Sequence, residues 1–176
     1  MNKKYRWLAV AATVLLLAAI LTFLIPGKLP ITELKSGNTY QYKNLSWGVT
    51  EGKVKLVLFR HLKPDALVAQ LEPGTQTYVA ENAYIVDGQK ASAYFSFRDG
   101  QLYEISFTFR NLESEDWFDN LLATVREAYG TETQLLESAY GVNQYRWVGE
   151  DSQLVLSSPP PDNSGPAHIM LNVLEN

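Results

Sequence analysis

The chain has two histidines, His61 and His168, and no cysteine. A catalytic or metal-binding pair would need both imidazoles close in space with carboxylates beside them, and the spacing supplies no such group. His61 instead closes a helical stripe, and His168 lies on the strand face opposite Ile169. The missing cysteine excludes disulfides, thiolate catalysis and Cys-type zinc sites. Glu113, Glu115, Asp116 and Asp119 crowd together, but a Ca²⁺ loop would need oxygen ligands at alternating positions. The cluster reads as the acidic first turn of a helix, where the backbone dipole favours negative charge. No Gly-x-Ser-x-Gly elbow is present, and Gly130-Thr131 and Gly141 belong to no phosphate loop. No catalysis, metal or cofactor is expected.

What remains is recognition. Ala91 to Arg110 reads as two alternating strands around Asp99-Gly100, a strong hairpin signal. One face carries Ala91, Ala93, Phe95 and Phe97, then Tyr103, Ile105, Phe107 and Phe109. The other carries Tyr94, Ser96, Glu104, Ser106 and Thr108, with Arg98 and Arg110 at its margins. A polar face with a tyrosine and charges of both signs is a candidate protein-binding surface, and it is also what any solvated sheet looks like. A three-residue loop, Arg98-Asp99-Gly100, would pair Phe95 with Tyr103 and keep the aromatic face whole, so this register is expected.

The elements that position this face follow along the chain. Thr39 to Leu45 alternates weakly and reads as a first strand. Thr50 starts a helix with Val54, Val57, Leu58 and His61 on one stripe; the alternative is a hairpin turning at Glu51-Gly52. Pro64 to Leu71 adds a short helical stretch before Pro73-Gly74. Thr77 to Val86 is a strand closed by a second Asp-Gly, Asp87-Gly88. Ser114 caps a helix with Trp117, Phe118, Leu121, Leu122, Val125, Ala128 and Tyr129 at helical spacing, stopped by Gly130. Tyr145–Val148 and Gln153–Ser157 form a further hairpin, and Ala167 to Leu174 a last strand. The fold class expected is α+β: an antiparallel sheet of about five to seven strands with two helices on one face, in one domain over 39–176.

Trp7 to Ile25 carries no charge, and as a helix it would be roughly 28 Å long, enough to cross a bilayer. Lys3, Lys4 and Arg6 precede it. The expected order is a basic cytoplasmic tail (1–6), a transmembrane signal anchor (7–25) and a tether (26–38), placing the domain outside the plasma membrane. Cleavage of the segment, giving a secreted protein, is the alternative. Of 15 basic residues these three lie before the apolar segment, whereas all 19 acidic residues follow it. The domain is therefore more acidic than the net charge of −4 states, which argues against nucleic acid as a partner.

Trp47-Gly48-x-Thr50 before the first helix, Phe97-Arg98-Asp99-Gly100-Gln101-Leu102 in the hairpin, Tyr129-Gly130 at the helix end and Trp147 in the following strand resemble the small envelope domains grouped with the SmpA/BamE assembly lipoproteins, whose α+β plan is similar to that of β-lactamase-inhibitor-protein-like folds. The resemblance, over roughly residues 45–174, supports the helix after Thr50. It implies an adaptor or inhibitor in the bacterial envelope rather than an enzyme. The lipidated cysteine of those lipoproteins is absent, and the apolar segment would take its place. The function expected is a membrane-anchored, extracytoplasmic protein-binding domain, with a small-ligand sensor as the alternative.

Overall fold

The computed structural model describes residues 7, 13, 26–58, 62–65, 74–112, 114, 116–138, 140–162 and 164–174. Two long hairpins set the architecture. Strands β5 (Thr75–Val86), β6 (Gln89–Arg98) and β7 (Gln101–Phe109) follow one another through Asp87-Gly88 and Asp99-Gly100. Asp87, Gly88, Asp99 and Gly100 all have positive φ, at 46°, 84°, 51° and 76°. Two consecutive left-handed residues make the tight turn whose twist matches that of the flanking strands, and Asp-Gly adopts it at small cost.

The expected three-residue loop is therefore replaced by a two-residue turn, with Arg98 opposite Gln101. Such a turn alone would mix the two faces. A bulge at Tyr103 corrects this: Phe97 opposes Leu102, while Ser96 opposes Glu104 and Phe95 opposes Ile105. Leu102 takes the buried place expected of Tyr103. A second irregularity lies between Ala80 and Tyr84 of β5, where four positions of β5 span two of β6 and the buried side stays the same.

The sheet continues beyond β7 by a long-range step. β11 (Ala167–Val173) lies antiparallel to β7, followed in space by β10 (Ser152–Ser157), β9 (Asn143–Val148) and β8 (Gln134–Glu137). On the other side β5 meets β1 (Gly27–Lys28) in parallel and β4 (Lys63–Pro64) in antiparallel pairing. Together these make nine strands in one mixed sheet, with a second small ribbon of β2 (Lys35–Ser36) and β3 (Thr39–Tyr40). Two helices, α1 (Glu51–Leu58) and α2 (Trp117–Tyr129), complete the described elements, together with a 3-10 turn at Ile31–Glu33.

The molecule is thus mostly β, not the α+β arrangement of five to seven strands that was expected. Short strands account for much of the difference. β1, β4 and β8 have two to four residues each, too few for an alternation to be read. Residues Glu51–Leu58 form the helix rather than the hairpin; of the helical stretch expected over 64–71, Pro64 pairs in β4 instead, and 66–71 lie outside the described residues.

Nor is a single-pass plasma-membrane protein supported: among the described residues no helix is long and apolar enough to cross a membrane. Helices α1 and α2 have 8 and 13 residues, so they span about 12 and 20 Å, short of the roughly 30 Å hydrocarbon core. The basic tail 1–6 and, apart from Trp7 and Thr13, the anchor expected at 7–25 lie outside the described residues. The segment read as a tether packs into the fold. Leu29, Ile31 and Leu34 are buried, and β1 pairs with Tyr84 and Ile85.

The core lies against the aromatic face. Phe95, Ile105, Phe107, Phe109, Leu154, Leu156, Ile169 and Leu171 are buried there with Val54 and Leu58 of α1 and Trp117, Phe118, Leu121 and Val125 of α2. Tyr42, Tyr84 and Phe107 form a triangle of edge-to-face rings with centroids 5.3–5.7 Å apart.

Candidate binding face

Register fixes what shares the other face of the sheet. Tyr94 opposes Ser106, which opposes Met170, then Val155, Arg146 and Gln134. The flanking rows run Ser96, Glu104, Asn172, Gln153, Val148 and Ser92, Thr108, His168, Ser157, Gln144. Three rows, polar apart from Met170, Val155 and Val148, thus cross five strands, and the central one reaches β8 as well. Several members are buried: Ser96, Thr108 and Ser157 are each less than a tenth exposed, and Val155 is fully covered. Thr77 and Ser96 share a hydrogen bond of 3.0 Å between their hydroxyls, and Thr108 Oγ1 lies 3.2 Å from His168 Nδ1.

The face is hollowed at both ends. The larger groove, about 1010 Å³, is lined by Trp47, Arg98, Glu104, Arg146, Gln153 and Asn172 among others. The smaller, about 520 Å³, is lined by Lys90, Ser92, Tyr94, Thr108 and Arg110 among others. Of the residues expected to form a binding face, Tyr94 faces Ser106 and Ser96 faces Glu104, while Thr108 lies on the same side opposite Ser92 and His168. Arg98 and Arg110 border opposite grooves. The Arg98 guanidinium stacks over the Tyr103 ring, 4.5 Å from its centroid. Arg110 stands near His168, whose pKa is lowered by burial first and by that positive charge second.

Sequence reasoning missed Arg146, Gln153 and Asn172. The alternation of His168, Met170 and Asn172 against Ile169, Leu171 and Val173 was a signal that this strand has a polar side. Nothing local said that this side would extend the Tyr94 face, because the β7–β11 pairing joins residues some sixty positions apart, as Thr108 and His168 are. Among the described residues no group of three His, Asp or Glu side chains could hold a metal ion. Asp116, not the expected Ser114, stands at the N-cap position of α2 and makes no side-chain cap bond, while Ser114 Oγ accepts from the Asp116 N–H at 3.3 Å; Asp119 is exposed in the first turn, and His61, Glu113 and Glu115 lie outside the described residues.

The residues behind the SmpA/BamE resemblance serve as staples. Trp47 Nε1 donates to the Tyr40 carbonyl at 3.0 Å, and Trp147 Nε1 to the Gly130 carbonyl at 2.8 Å. The Tyr129 hydroxyl donates to the Ile31 carbonyl at 2.5 Å and accepts from the Leu34 N–H at 2.8 Å.

No family model matches the chain, and no curated protein matches it. Among solved structures, a DUF4309 family protein (YjgB) from Bacillus subtilis aligns over 82% of this chain and 90% of its own, at 15% identity and a TM-score of 0.47. A likeness of that size carries no argument about function.

Proposed function

We propose that the domain binds another protein through the polar face of its nine-stranded sheet. One observation carries the reading: residues from five strands, spread between Ser92 and Asn172, form three rows that are polar apart from Met170, Val155 and Val148, with a groove at each end. The rows combine tyrosine, methionine and arginine, the types enriched at protein interfaces, with hydroxyls and amides that adapt their hydrogen bonds. The resemblance to SmpA/BamE domains, carried by Trp47-Gly48, Tyr129-Gly130 and Trp147, supports the same reading.

The test is a paired Tyr94→Ala, Glu104→Ala replacement. Both side chains are partly buried on the sheet surface, so melting curves of the variant verify that the fold is kept. A partner captured by the natural chain from its host extract, then purified and titrated, should bind the double variant at least about tenfold more weakly, or about 1.4 kcal/mol. Unchanged affinity removes the face from consideration. A second reading, a small-ligand site, is favoured by the larger groove, whose volume reaches the upper end of ligand pockets. A rise in melting temperature with a metabolite in the absence of any protein partner would favour it.

A further inference from the structure

Two arginines use the same edge of the guanidinium differently. Arg126 donates from Nε to Glu132 Oε2 at 2.9 Å and from Nη2 to Glu132 Oε1 at 2.6 Å. Its fork is filled by one carboxylate, the geometry in which a guanidinium binds most strongly. Arg146 offers the same two nitrogens. Nη2 donates to the amide oxygen of Gln144 at 3.0 Å, and Nε is buried with no acceptor. Among the described residues no carboxylate lies within ion-pair distance of Arg146. Arg146 is half-buried and lines the larger groove. A cation partly withdrawn from water, with one donor unused, is an unfavourable arrangement unless something completes it.

A second orphan lies in the same groove. Asn172 Oδ1 is buried without a donor. Asn172 on β11 and Arg146 on β9 flank β10, one row apart. One site thus offers an unused donor on a cation and an unused acceptor on an amide. Arg98, Asp99 and Glu104 at the rim carry both signs of charge, so the groove presents no general positive field. That pattern suits a single carboxylate with an N–H beside it, and not a polyanion.

We propose that the larger groove binds a carboxylate-bearing ligand, seated on the Nε–Nη2 fork of Arg146, with Asn172 accepting a hydrogen bond from a neighbouring donor of that ligand. The inference rests on the polar face being a binding surface and names the chemistry it recognises. An acidic side chain on an extended peptide supplies both features, the carboxylate and the adjacent amide N–H. The amide of Gln144 occupies half of the seat. Turning it aside opens the fork, so Gln144 acts as a displaceable stand-in.

The test is a calorimetric titration of the full chain with acetyl-Gly-Glu-Gly-amide, its glutamine counterpart and glutarate. The glutamate peptide should bind about tenfold or more tightly than the glutamine peptide. Arg146→Lys keeps the charge and loses the fork, so it should bind the glutamate peptide several-fold more weakly than the natural chain. Gln144→Ala should bind the glutamate peptide at least as well as the natural chain. Arg146→Gln serves as a second variant, with circular dichroism and melting curves verifying the fold of each. Tighter binding of the peptide than of glutarate assigns the carboxylate to a protein segment, whereas the reverse assigns it to a free acid. Equal binding of the glutamate and glutamine peptides, absence of binding by either, or an unaffected Arg146→Lys variant overturns the proposal. In those cases a partner still lost by the Tyr94, Glu104 double variant leaves the face reading standing.

Discussion

His168 illustrates how much a single side chain owes to its neighbours. Its imidazole sits on the polar face beside Thr108, with Arg110 nearby, and burial holds its pKa below the ordinary value of 6.5. As pH falls through 6.5, the unfolded chain takes up a proton that the folded chain still refuses. Stability is therefore fully present above that value and declines as pH drops from it towards the folded pKa. Replacing His168 with Gln should flatten the dependence of the urea midpoint between about pH 7 and pH 5. Equal slopes for the two proteins would refute this account. At this scale the sequence was legible where alternation is local. Tyr94, Ser96, Glu104, Ser106 and Thr108 fall on one face, as their spacing required. Tyr103 was misplaced because a bulge adds one residue to a strand without any residue type that announces it.

Among the elements, α2 was the most legible. Its apolar residues recur at helical spacing, and Gly130 ends it with φ 81°, a backbone region that costs glycine little. Its last residue does work that no periodicity reveals. The Tyr129 hydroxyl ties the helix to the N-terminal segment through the Ile31 carbonyl and the Leu34 N–H, and burial pushes its pKa up to about 12. Tyr129→Phe should leave both backbone groups without that partner and lower stability by about 1–3 kcal/mol in a denaturant titration. The natural protein should also lose stability as pH rises above 10, where the unfolded tyrosine ionises first, and the Phe variant should lose less. A variant as stable as the natural chain would mean that the staple is dispensable. The edge elements were illegible for the opposite reason. The four residues of β8 are all exposed, so no burial pattern marks them as a strand.

In the whole molecule, the N-terminal residues 27–49 are part of the domain. β1 extends the sheet, Asn38 accepts from the Glu150 N–H at 2.9 Å, and Tyr40 N–H donates to the Ser152 hydroxyl at 2.8 Å. Gly149 has room for no more than hydrogen, since a Cβ there would lie 2.2 Å from the Asn38 carbonyl oxygen. Leu34 is fully buried in this junction, so Leu34→Ala should cost about 2–5 kcal/mol and lower the melting temperature cooperatively. A change below about 0.5 kcal/mol would restore the picture of a loose tether. By itself the sequence determined the places of the two Asp-Gly hairpins, helix α2 and, Tyr103 apart, the aromatic and polar sides of the two central strands, while it left residues 50–58 open between a helix and a hairpin. Those are decided by turn chemistry and by periods of two and 3.6 residues, which act over a few positions. Only the tertiary structure decided that β11 lies beside β7 and that 27–49 closes one end of the sheet. It likewise placed Arg146 and Asn172 in the groove beside Glu104. Strand order depends on which apolar faces bury together across the whole chain, and no local pattern carries that information.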